Sequence, residues 1–268
     1  FIGFGDPVFS KPGEGKAGAA NAPVQVAAAA IAATAATRGL KLRSLQIPRL
    51  AEDADTSTRQ IDAAQYAELN ALPDTREEIL SIAKALGANP DKDVFLGPQA
   101  SRPQVQKTDL SKRRIVAFAT HGLIPGDLPD LEQPALALSV LDDSKASPLL
   151  TLDDVLGLKL DADWVVLSAC NTAAADGQGA EAVSGLGRGF FYAGSRALLV
   201  THWPVETVSA RLLTTGIFER YAKPGNVTRA EALNASMRAL MEGTANGQYS
   251  YAHPLFWAPY ALIGDGGR

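Results

Sequence analysis

The sequence predicts an α/β layered domain with a mostly parallel central sheet, on three observations. Ile115–Ala119 and Trp164–Leu167 are short, apolar and free of charge, as strands buried on both faces of a sheet are. Such runs alternate with helical segments of about 10 to 15 residues, the pattern of strand–helix–strand units. The two strongest runs also end in reactive side chains, Thr120-His121-Gly122 and Ser168-Ala169-Cys170-Asn171. The carboxyl ends of strands are where open α/β sheets bind ligands.

In order, Phe1 to Phe4 reads as a strand that stops at Gly5-Asp6-Pro7. Residues 10–44 read as an insertion or loop within the domain. Ser10 to Ala20 is rich in Gly, Lys and Pro, a loop composition. The alanine-rich run Val24 to Thr37 reads equally as a helix or as an insertion. Leu45 to Leu50, with Pro48, reads as extended, and Gln60 to Leu69 as a helical turn or two. A helix follows Leu72-Pro73, capped by Asp74 or Thr75. Its buried stripe is Ile79, Ile82, Ala83 and Leu86, and Gly87 ends it. Val94 to Leu96 is a strand broken by Gly97-Pro98, and Gln104 to Leu110 a short helix.

After the His121 strand, Leu123 to Gln133 is expected to be a long loop, of the kind that carries specificity. Ala135 to Ser139 follows as a strand. Thr151 caps a helix from Leu152 to Leu158. Beyond the Cys170 strand, Thr172 to Ala182 reads as a loop holding Asp176 and Glu181. Ser184 to Ala193 is a helix stopped by Gly194, and Ala197 to Thr201 a strand running out to His202-Trp203-Pro204. In the helix Thr207 to Tyr221, Leu212, Leu213, Ile217 and Phe218 are expected inward. Thr228 and Glu231 form a capping box for a helix from Arg229 to Met241. His253, Pro254 and Trp257 read as a staple under the sheet, and Tyr260 to Ile263 as a last strand.

Composition removes several classes. The 268 residues are 46% hydrophobic and 20% charged, with a formal net charge of −4. That suffices for a large core and shows no basic stripe for nucleic acid. No run reaches the roughly 18 apolar residues of a membrane span. A nucleophile elbow and a His-Glu-x-x-His zinc helix are absent, Gly13-Glu-Gly-Lys16 lacks the spacing of a phosphate-binding loop, and no Gly-x-Gly-x-x-Gly directly follows a strand. No helical repeat of roughly 34 residues is present. No cofactor and no metal is expected. The chain opens on Phe1, inside what reads as a strand already under way, so an excised C-terminal piece of a longer protein is expected.

Cys170 is the single cysteine, so the chain holds no internal disulfide. Alone it reads as a small buried hydrophobe, and His121 alone as a loop histidine. Together they mean more. If their strands are parallel neighbours, two residues 49 apart (170 − 121) meet. An imidazole beside a thiol supports the thiolate, which is the nucleophile. Gly122 lets a substrate approach the backbone, and the N–H groups of Gly122 and Cys170 are candidate oxyanion donors. In papain-like peptidases and class I glutaminases the cysteine precedes its histidine. His202 and His253 keep that alternative open.

Ala119-Thr-His-Gly122 and Leu167-Ser-Ala-Cys-Asn-Thr172 resemble the catalytic segments of caspase-like cysteine peptidases. The closest resemblance is to the CHAT family, bacterial relatives of caspases and separase usually found downstream of tetratricopeptide repeats. It extends through Gly185–Gly194, Ala197–Val205, Arg229–Leu233 and His253–Tyr260. The caspase pattern around the cysteine, Gln-Ala-Cys-x-Gly, is not kept: Ser168 and Asn171 stand in the flanking places. The resemblance implies a single domain over 1–268, folded as a caspase-like three-layer α-β-α sandwich with a mostly parallel central sheet. It implies a cysteine endopeptidase acting on a protein or peptide through His121 and Cys170. It further implies upstream repeats, a bacterial source and a cytoplasmic location, with no nucleic acid and no membrane. Asp176 is the candidate for binding Arg or Lys before the cut, as in clostripain and separase, and Trp203 for lining the cleft. Two other readings are a catalytically silent interaction module and an enzyme gated by a partner or by its repeats.

Overall fold

Strand β1 (Ile2–Gly5) alternates large residues with glycine, and this sets how closely a helix approaches the sheet. A Cβ on Gly3 or Gly5 would lie 2.7 or 2.9 Å from Ile79, so helix α2 (Asp74–Ala85) packs directly on the β1 backbone. Ile2 and Phe4 point to the opposite face. The computed structural model describes residues 1–10, 63–129, 131–141, 147–168, 178–203, 205–245 and 249–267. The expected loop, alanine-rich run and extended piece between residues 11 and 50 lie outside the described residues.

The described residues form a six-stranded sheet in the order β11-β8-β7-β3-β1-β2. Its members are β1, β2 (Val94–Leu96), β3 (Ile115–Ala119), β7 (Trp164–Leu167), β8 (Ala197–Thr201) and β11 (Tyr260–Gly264). All neighbours are parallel except β11, which runs antiparallel to β8 at the edge. Alternate residues feed two cores. Ile115, Ala117, Ala119, Trp164, Val166 and Leu199 face α2, α7 (Thr207–Tyr221) and α8 (Arg229–Glu242). Val116, Phe118, Val165, Leu167, Leu198 and Val200 face α4 (Arg102–Lys107), α5 (Leu152–Leu156) and α6 (Gln178–Tyr192). Burial on both faces is why these strands carry unbroken apolar runs. Phe4 stacks on both Phe95 and Phe118 at 5.2 Å, and the register makes them cross-strand neighbours. Helices on both faces of a mostly parallel sheet make this the expected caspase-like α/β sandwich.

A second, three-stranded antiparallel sheet, β4-β5-β6, leaves the end of β3. It comprises β4 (Gly122–Leu123), β5 (Ala135–Ala137) and β6 (Leu149–Thr151). The expected Ala135–Ser139 strand belongs here, outside the main sheet. The expected 123–133 loop is a packed segment: Leu123, Leu128 and Leu131 are buried with Phe9, Tyr66 and Leu69. β4 and β6, two and three residues long, have no counterpart among the strands expected from the sequence.

Other departures have local causes. α2 has no side-chain cap. The Thr75 hydroxyl donates to Leu72 C=O (2.7 Å) and accepts the N–H of Asp6 (2.7 Å), tying the helix to the end of β1 instead. α4 starts earlier than expected because Ser101 caps it, with proline in its first turn. α6 begins at Gln178, inside the expected 172–182 loop. Its glycines, poor helix formers, are there for packing: a Cβ on Gly189 would lie 2.7 Å from Leu152. α7 buries Leu213, Ile217 and Phe218, but Leu212 is 45% exposed. Leu212 points off the packed face into solvent. Trp257 packs half-buried against the core as expected, and Tyr251 and Phe256, edge to face at 5.0 Å, complete the staple. His253 is exposed and caps a 3-10 turn.

Several expected caps and helix stops are in place. Thr151 and Asp154 close a capping box on α5, and Thr228 and Glu231 close one on α8. Gly87 and Gly194 end their helices at φ +64° and +112°. A four-residue helix α1 (Ala63–Tyr66) stands within 60–69. No described helix is long and apolar enough to cross a membrane.

Candidate active site

Five parallel strands bring their carboxyl ends to one edge of the sheet. Asp6 follows β1, Gly97 follows β2, Thr120-His121 follow β3, Ser168 follows β7 and His202-Trp203 follow β8. β3 and β7 are parallel neighbours, with Phe118 paired to Leu167. Ser168 N–H extends the ladder by donating to Phe118 C=O at 3.0 Å. Cys170 and Asp176 lie outside the described residues.

His121 is fully buried and held on several sides. Its backbone carbonyl accepts the Ala137 N–H at 2.9 Å. The hydroxyl of Thr120 donates to the Ala137 carbonyl. The imidazole lies 5.3 Å from the Phe9 ring, tilted by 38°. Its Nε2 is 2.8 Å from the main-chain carbonyl oxygen of Asn70. A carbonyl only accepts, so Nε2 carries the hydrogen, and in the neutral ring the basic lone pair is on Nδ1. The arrangement fixes both the ring plane and its tautomer.

Gly122 opens β4 and faces Leu136. Because Ala137 donates to His121, one residue before Gly122, the Gly122–Leu136 pair is non-hydrogen-bonded and the Gly122 N–H points away from β5. The amide predicted as an oxyanion donor is therefore not spent in that ladder.

Behind the histidine stands a group that the sequence did not mark. The Tyr66 hydroxyl donates to Leu138 C=O at 2.6 Å, fully inside the third core. Burial raises its pKa well above the ordinary tyrosine value, against the opposing effect of the Leu138 bond. Tyr66 therefore remains a donor through neutral pH. Asn70, Tyr66 and Phe9 carried no sequence signal. Their role is long-range, and the key acceptor is a backbone atom that any residue would supply.

His202 is exposed, and its N–H donates to Pro259 C=O at 2.8 Å. Trp203 is half-buried, with its ring 6.5 Å from that of His202. Both follow β8, separated from β3 by β7. At sheet spacing that is about 10 Å from the histidine strand. Glu206 begins the next helix: its carboxylate accepts the N–H groups of Val208 and Ser209 at 3.1 and 2.8 Å. Among the described residues, no group of three His, Cys, Asp or Glu could hold a metal ion.

The comparison with protein families agrees with this architecture. The family model of the CHAT domain matches residues 12–265. No curated protein matches the chain. A mostly parallel sheet with helices on both faces, and a match over nearly the whole length, place the chain in the CHAT-domain family, which is caspase-like and peptidase-related.

Proposed function

We propose that the chain is a cysteine endopeptidase that cleaves protein substrates with a His121–Cys170 dyad. The observation that carries the reading is the state of His121: buried at a strand end, with Nε2–H bonded to Asn70 C=O and its base on Nδ1. The bond to a carbonyl holds the ring in one tautomer, which is what a positioned base requires. The β3–β7 register adds support. Phe118 pairs with Leu167 at an offset of 49 (167 − 118), the same offset that separates 121 from 170.

In this reading Cys170 Sγ, as the thiolate, attacks the scissile carbonyl carbon. The carbonyl oxygen becomes an oxyanion held by the N–H groups of Gly122 and Cys170. One such donor is typically worth ~3 kcal/mol. His121 holds the thiol proton, gives it to the departing amine, and then takes a proton from the water that hydrolyses the thioester. Asp176 is assigned to a basic residue before the cut and Trp203 to the cleft wall. Upstream tetratricopeptide repeats and a cytoplasmic location belong to the same reading.

The test is a peptide-library digestion read by mass spectrometry, with Cys170→Ala as control. Cleavage by the parent alone supports the peptidase, and Arg or Lys at the cut supports Asp176. Iodoacetamide at about pH 6, below the pKa of an ordinary thiol, probes the dyad separately. Cys170 is expected to react faster than a free thiol, and His121→Ala to remove that excess. A reactive thiol without cleavage indicates gating by a partner. No cleavage and equal alkylation rates in both proteins refute the proposal and favour a silent interaction module.

A further inference from the structure

His121 and the carbonyl that accepts its Nε2 hydrogen are fastened to the same strand through neighbouring backbone groups. Ala137 N–H holds the His121 carbonyl at 2.9 Å. Ala137 C=O takes the Thr120 hydroxyl. Leu138 C=O takes the Tyr66 hydroxyl at 2.6 Å. Tyr66 opens the turn that leads to Asn70, and Leu69 N–H bonds back to Tyr66 C=O at 3.2 Å. The aromatic part of Tyr66 braces the same place: it meets Phe9 edge-on at 5.7 Å, and Phe9 lies against the imidazole. Imidazole and acceptor are thus both positioned relative to β5 and the residues just beyond it. On the acceptor side the Tyr66 hydroxyl provides a direct hydrogen bond to this strand, beside the packing of Leu69 in the same core.

We propose that Tyr66 is a positioning residue for His121: its hydroxyl, anchored on Leu138, holds the Asn70 carbonyl where it receives the Nε2 hydrogen. The imidazole is thereby kept as the Nε2–H tautomer with Nδ1 as its base. The catalytic meaning of this arrangement rests on the peptidase reading above, but its geometry does not. Tyr66 touches no reacting atom. It acts through the turn, and a small displacement of a base from its working position is costly, up to about 100-fold for ~1 Å.

The test needs no turnover. The chain has three histidines, so ¹⁵N-histidine labelling gives three ring systems, assigned with His202→Gln and His253→Gln. With Cys170→Ala removing the thiol proton that the ring would otherwise hold, and at a pH well above the ordinary histidine pKa of about 6.5, His121 is expected to show a protonated Nε2 and an unprotonated Nδ1. Tyr66→Phe keeps the buried ring and removes only the hydroxyl. It is expected to give averaged, mixed-tautomer nitrogen signals in the same Cys170→Ala background and, with Cys170 present, a roughly tenfold slower alkylation of Cys170 at neutral pH, a modest part of what a positioned base contributes. Leu128→Ala, in the same core, is the control for general loosening: it is expected to lower Tm and leave the His121 signals unchanged.

An Nδ1–H tautomer in Cys170→Ala overturns the proposal whether or not Tyr66→Phe folds. So do unchanged signals and alkylation in Tyr66→Phe, even with a lower Tm, and an equal tautomer shift in Leu128→Ala. If the tautomer responds as expected while the library is never cut, the peptidase reading fails and the positioning role stands.

Discussion

Gly194→Ala should be among the most damaging single-methyl additions in this protein. Gly194 ends α6 at φ +112° and turns the chain into β8. A Cβ there would lie 2.2 Å from the carbonyl oxygen of Leu160, which is backbone and has no rotamer to change. Two bonds tie this turn to the segment entering β7, Leu160 N–H to Ala193 C=O (2.7 Å) and Ala162 N–H to Gly194 C=O (3.3 Å). Making room for the methyl opens at least one of them. A left-handed backbone costs an L-residue about 1–2 kcal/mol, and a lost buried hydrogen bond about 1–3 kcal/mol more. Together this is about 2–5 kcal/mol, or about 4–20 °C in Tm at the 2–4 °C per kcal/mol typical of a chain near this size. Gly87→Ala is the matched control: φ is +64°, and nothing lies within 4 Å of the added Cβ. Only the backbone term applies, about 1 kcal/mol and about 3 °C. Calorimetry on both variants decides it. Equal losses in Tm would refute the argument that space, rather than φ, sets the cost at Gly194.

Two further outcomes follow from packing and charge. Leu213→Ala, at 1% exposure, should lose about 2–5 kcal/mol by chemical denaturation, whereas Leu212→Ala, at 45% exposure, should stay within about 0.5 kcal/mol of the parent; comparable losses would mean that α7 is rotated. Asp154 gives an acid prediction. Burial raises its carboxyl, but the Arg102 guanidinium, in a two-bond pair at 2.8 and 2.9 Å, and the Thr151 N–H and hydroxyl outweigh this and hold its pKa below the usual value. A folded-state pKa below the unfolded one means stability that is present above the unfolded pKa and lost as pH falls through the folded one. The parent should therefore lose stability below about pH 4, more steeply than Asp154→Asn, and parallel curves in a urea series against pH would remove Asp154 from the account.

The long strands and the capped helices were legible because their signals are local. Ile115–Ala119 and Trp164–Leu167 had to be unbroken apolar runs, since each is buried on two faces. Thr151 with Asp154 and Thr228 with Glu231 satisfy helix N–H groups only three residues away. His121 was legible for the same reason: it ends a strand of strong signal. The expected helix Ser184–Ala193 already spans Gly189, whose place against Leu152 leaves no room for a Cβ, and only the earlier start of α6 at Gln178 went unread.

Residue order along the chain thus specified the fold class, the strands β3 and β7 and the family, through apolar runs, caps and motifs only a few residues long. Tertiary structure alone decided the β3–β7 register, the three-stranded sheet beside His121, and the surroundings of the imidazole. The Asn70 carbonyl is a backbone atom, Phe9 meets His121 across 112 positions of the chain (121 − 9), and Tyr66 reaches Leu138 across 72 (138 − 66). Contacts of that kind leave no periodicity, because they arise only after the strands and helices have packed.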